Sequence, residues 1–120
     1  MSAIPKEIIR DRLKFAQLTL GDTVADFFAS NVSESKKRNI VLMTIAGDGA
    51  NAAVVTIQKK VEAGTYSDAI IVYNAAAGFL QVPPGSFDIE SPVLVLEGGT
   101  NIGALCSAGA HEMTIVYWDE

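Results

Sequence analysis

Cys106, Ser107, His111 and Glu112 lie close together in the chain, and they are the residue types from which a nucleophile, a general base and an acid are assembled. Neither nucleophile occupies a G-x-S-x-G elbow. His111 follows Gly109-Ala110 and reads as a turn histidine at a strand edge. Cys106 ends the apolar stretch Ile102-Gly103-Ala104-Leu105, where a thiol packs as a small, inert hydrophobe. Asp88 and Glu90 are two apart, so on a strand both carboxylates leave one face; with Asp68 or Glu97 they would hold a cation, or as a pair begin a glycosidase site. No D-x-D-x-D-G loop supports the cation, and solvated strand-face residues are the expected reading. Gly47-Asp48-Gly49 matches part of a phosphate-binding fingerprint, but a strand-like stretch follows it rather than a helix, so a hairpin turn is expected. No catalytic residue, metal ligand or cofactor emerges, and the chain reads as a non-enzyme.

Composition narrows the remaining functions. The 120 residues are 49% hydrophobic, enough for one core, and the single cysteine and single histidine cannot close a disulfide or build a clustered zinc site. A net charge of −5 is the wrong sign for tracking phosphates, so nucleic acid is not an expected partner. No apolar run approaches the ~18 residues of a membrane span, and Met1-Ser-Ala-Ile-Pro-Lys-Glu7 lacks a secretory pattern, so a soluble, non-exported protein is expected, with no membrane partner.

The elements that must position any site are mostly strands. Apolar residues recur with period two in stretches near residues 12–20, 23–30, 39–46, 52–60, 68–74, 79 with 86–90, 93–105 and 112–118, separated by Gly, Asn, Asp, Ser and Pro clusters. Gly98-Gly99-Thr100-Asn101 divides the seventh into two short strands or bulges one long one. Pro5 suits a first helical position and Ile8, Ile9, Leu13 and Ala16 share a helical face, while residues 13–20 also alternate; a short turn or helix over 5–11 followed by a strand is expected. The pattern predicts an all-β antiparallel sandwich or barrel of about eight strands over residues 12–120, with residues 1–11 as an N-terminal arm or helix.

Several strands are apolar on both faces: Ile40-Val41-Leu42-Met43, Ile70-Ile71-Val72-Tyr73 and Val93-Leu94-Val95-Leu96. If Met113, Ile115 and Tyr117 face the core, Val116 and Trp118 stand outside. A two-sheet domain has one interior, so either subunit contacts or the N-terminal segment and loops must cover the outer faces. Residues 1–38 carry seven Lys/Arg against five Asp/Glu, and residues 39–120 two against nine. That asymmetry is either an incidental fall of surface charges or a basic arm docking on an acidic neighbour. The expected interface set is Ile4, Ile8, Ile9, Arg10, Ile70, Val72, Val116 and Trp118, meeting another copy of the chain in a trimer or ring.

The order of features over residues 12–118 resembles that of small tailed-bacteriophage virion proteins with a jelly-roll-like sandwich. Arg12–Thr19 looks like the opening strand of that group and Thr23–Phe28 like the next. Asn39–Leu42 followed by Ala53–Ile57 is similar to its central hairpin, and Val93–Gly99, Ser107–Ala110 and Met113–Tyr117 to its C-terminal pattern. Lys36-Lys37-Arg38 and Pro83-Pro84 depart from it. The resemblance implies a structural protein of the virion, made in the host cytoplasm: a capsid decoration or cement protein that binds the major capsid or another virion protein and stabilises the particle. A neck or tail adaptor, or a lectin-like receptor-binding module of a tail fibre, is the alternative.

Overall fold

The computed structural model describes residues 4–47, 49–50, 52–60, 66–75 and 79–120, and for 67–75 the backbone alone. Its elements are α1 (Lys6–Arg12), β1 (Lys14–Leu20), β2 (Ala25–Asp26), β3 (Arg38–Ala46), β4 (Ala53–Lys60), β5 (Tyr66–Ala75), β6 (Phe79–Val82), β7 (Leu94–Leu96), β8 (Asn101–Cys106) and β9 (His111–Asp119). One sheet runs β1-β9-β3-β6, with β7 also pairing β3, and the other runs β2-β8-β4-β5. All pairs are antiparallel. The chain crosses repeatedly from sheet to sheet, which is the strand order of a jelly roll. No helix among the described residues is long and apolar enough to cross a membrane.

The period-two pattern builds the interior. Leu20, Ile40, Met43, Ile45, Val55, Ile57, Leu96, Ile102, Ala104, Cys106, Met113 and Ile115 are buried in one cluster between the sheets. Ile40 and Met43 both reach it although they are three apart, because the register with β9 breaks between Ile40 and Leu42. The residue skipped there, Val41, is fully buried on the other side of the sheet.

Three strand readings change. Gly47–Gly49 does not close a hairpin, since β3 and β4 lie in different sheets; Asp48 itself falls outside the described residues. The supposed central hairpin of residues 39–57 is therefore a crossover. Ser86–Glu90 is not a strand: the Asp88 carboxylate accepts a hydrogen bond from the Glu90 amide at 2.9 Å and the Asp88 carbonyl one from the Ser91 amide at 3.0 Å, closing a local turn. The stretch 23–30 shrinks to two paired residues because buried Asn101 takes over the backbone of Phe28. Its amide donates to the Phe28 carbonyl at 2.8 Å, and its Oδ1 accepts from the Phe28 and Ile102 amides at 3.3 and 2.8 Å. The interrupted stretch 93–105 resolves into two strands, β7 and β8.

The N-terminal segment has a place in the fold. Pro5 precedes α1 at φ −56°, its carbonyl accepting from the Ile8 and Ile9 amides, and Leu13 turns extended straight into β1. A seven-residue helix is too short to persist by itself. Ile9 anchors it by packing with Val41, Ile89 and Trp118, with Ile4, Leu13 and Val116 at the margin. The described part of the expected arm thus folds back on its own sheet.

Candidate functional site

The outer face of the β1-β9-β3 sheet gathers most of the expected interface residues. Along β9, Met113 and Ile115 are fully buried in the main core, so Thr114, Val116 and Trp118 stand outside. Trp118 is only 5% exposed, and its indole Nε1 donates to the Ile89 carbonyl at 3.2 Å, tying the 86–90 turn to the sheet. Ile9 and Trp118 are therefore covered by the chain itself, which corrects their assignment to a surface open to a neighbour. Ile4 and Val116 are half-buried against the same cluster, whereas Arg10 is exposed and Ile8 is 43% exposed. Ile70 and Val72 lie on β5, Val72 opposite Thr56 of β4; their side chains fall outside the described residues.

The largest exposed apolar group on this face escaped the sequence reading. Phe15 is 74% exposed on β1, opposite Val116 of β9. Its signal was present: Ala16, Leu18 and Leu20 form the inner set of β1, leaving Phe15 with the polar outer set Gln17 and Thr19. Gln17 donates to the Thr114 hydroxyl at 3.1 Å across the same face. Beside α1, a shallow cleft of about 300 Å³ is lined by Lys6, Arg10, Leu13, Phe87, Asp88 and Ile89, and Lys6 meets Glu90 at 3.5 Å.

Two polar clusters, neither legible in the sequence, pin strands together. Arg38 lies over the rings of Phe28 and Tyr117, which meet edge to face, 4.4 Å from each centroid, and donates Nε and Nη2 to the two Asp119 oxygens at 2.8 and 2.9 Å. The hydrogen bonds it donates to Asp119 hold the guanidinium above its usual range despite burial. The basic run at 36–38 is thus partly internal, with the Lys37 carbonyl accepting from the Glu120 amide. On the other sheet, Lys60 donates to Asp26 Oδ2 at 2.8 Å and the Tyr66 hydroxyl to Asp26 Oδ1. Lys60 and Tyr66 hold the Asp26 carboxyl below its ordinary value, while burial and the Asp26 bond push Tyr66 up to about 12. Tyr66 lies across Gly103, where any Cβ would strike its ring and Val24.

The residues best suited to acid–base or nucleophilic work are shut inside. His111 opens the central strand β9 opposite Leu20, at 0% exposure with neither ring nitrogen hydrogen-bonded, so it is no strand-edge turn residue. Cys106 is also at 0% exposure, its thiol 3.5 Å from the Leu20 and Gly109 carbonyls. Among the described residues no three His, Cys, Asp or Glu side chains gather as a metal would need. The surface around α1 and β1 exposes Ile8, Phe15 and Phe87, with Lys6, Arg10, Asp88 and Glu90 alongside. No protein-family model matches the chain, and no curated protein matches it.

Proposed function

We propose that this chain is a non-enzymatic structural subunit that associates with copies of itself, and that its setting is a tailed-phage virion, where it decorates or cements the capsid. The observation that carries the self-association is the exposed aromatic and aliphatic surface on the β1 side of the sandwich, led by Phe15. A phenyl ring left in water on a strand forfeits roughly 1.5–3 kcal/mol that burial in a contact returns. The burial of His111 and Cys106 supports the non-enzymatic part. The virion setting rests on the resemblance over residues 12–118.

Light scattering on the full chain tests the first part, with a discrete homo-oligomer expected; a monomer at the highest soluble concentration overturns it. Binding to particles, counted as copies per virion, tests the second. Copies in the hundreds mean capsid decoration, and about six or twelve mean a neck or tail ring.

A further inference from the structure

β1 is the outermost strand of its sheet. β9 occupies one of its edges, and among the described residues no backbone-to-backbone hydrogen bond reaches the other edge between Lys14 and Thr19. Edge strands are normally blunted by shortness, proline, bulges or inward charges, because their free N–H and C=O groups template pairing. β1 runs seven residues, pairs with β9 without a register break, and carries one charge, Lys14, at its first position. Its inner residues Ala16 and Leu18 are only half-buried at the rim of the main core.

We infer that β1 pairs antiparallel with β1 of a second copy about a two-fold axis at Gln17, fusing the two sheets into one. This rests on the self-association proposed above and specifies its contact. The register follows from the faces. Opposed residues in an antiparallel pair share a face, so the inner set Ala16, Leu18 and Leu20 must meet an inner set. Centring on Gln17 satisfies this for Ala16 and Leu18 and uses the whole strand, with Lys14 opposite Leu20 at each end; centring on Ala16 or Leu18 shortens the paired stretch. It sets Ala16 opposite Leu18 of the second copy, closing the rim, and Phe15 opposite Thr19. These pairings, each repeated by the two-fold axis, and the like-with-like faces select a second copy as the occupant.

The test uses full-length protein. Gln17→Cys should give a covalent dimer with a short bis-maleimide, since directly opposed Cβ atoms lie about 4.5–5.5 Å apart. Wild type should not, because Cys106 is at 0% exposure. Mixing Phe15→Cys with Thr19→Cys should crosslink far better than either variant separately. Gln17→Lys sets two ammonium groups against each other and should weaken association about tenfold or more, with the circular dichroism spectrum unchanged. If that variant misfolds, the cysteine pairs decide. An oligomer by light scattering that neither crosslinks at Gln17 nor responds to Gln17→Lys overturns the edge contact and leaves self-association standing. A full-length monomer at the highest soluble concentration overturns both.

Discussion

The two hydrophobic clusters lie on opposite sides of one sheet and are closed in different ways. The cluster between the sheets draws on both sheets, and most of its contributors follow the alternation of their strands, with Phe27, Phe28 and Val32 added from the loop after β2 and Ile40 and Met43 straddling the bulge. The outer cluster of Ile9, Val41, Ile89 and Trp118 draws on a helix, a bulge, a turn and a strand end. The first is made by the sandwich itself and the second is an attachment to it. The difference teaches that an apolar outer face need not advertise a partner: half of this one is closed by the chain's own N-terminal helix, and the part toward β1 is left open at Phe15.

The largest expected effect separates the two clusters by cost. Ile115→Ala, at the middle of β9 in the main core, should lower stability by about 4 kcal/mol in urea unfolding, and Ile9→Ala by about 2 kcal/mol because its margin can collapse. Equal costs would break the distinction. Next, removing residues 1–12 should lower the melting temperature by several degrees and shift the emission of Trp118, the only tryptophan, to the red, while the β-sheet signal persists. Unchanged emission would mean that α1 does not shelter the indole.

A smaller effect is expected within the main core: Cys106→Ser should cost about 1–3 kcal/mol with no change in assembly. An intersubunit crosslink lost on reducing gels would contradict the buried thiol. Smallest is Tyr66→Phe, which removes one half-exposed hydrogen bond and should cost about 0.5–1 kcal/mol. The native contact has a pH window. Asp26 sits below its ordinary value, so its stabilisation is present above about 3.9 and fades as pH falls through the lowered value. Tyr66 is raised from 10.0 to about 12, so its stabilisation is full below 10 and is lost as pH rises through about 12. Melting temperatures of wild type and Tyr66→Phe should therefore converge at high pH; a constant gap above pH 12 would show that the phenol bond is not the cause.

What could be read from the sequence was local. Alternation in 39–46, 52–60 and 112–118 located β3, β4 and β9, because a half-buried strand writes its burial into every second residue. The turn at 86–90 alternates too, yet Asp88 spends its carboxylate on its own backbone, a competition that apolar period cannot reveal. The crossover from β3 to β4 was misread because a Gly-Asp-Gly turn looks alike whether it joins neighbours or opposite sheets. Asp26, Lys60 and Tyr66, and likewise Phe28, Arg38, Tyr117 and Asp119, are brought together only by strand pairing across long separations. Phe15 was legible in principle, since Gln17 and Thr19 mark its face as outer.

β9 also governs when the molecule can form. It takes β1 on one side and β3 on the other, joining Lys14 to Tyr117 and Asn39 to Trp118. Until this strand arrives, β1 has no partner in its sheet and β3 keeps a long edge open, so the sheet cannot assemble progressively from its N-terminal side. Closing such long loops before any contact is gained makes the chain a slow folder, on the order of milliseconds to seconds. During that wait the free edges of β1 and β3 are hazards for mispairing. Stopped-flow refolding of the whole chain should therefore slow with rising protein concentration as mispaired chains accumulate, and a chain cut before His111 should show no cooperative unfolding transition.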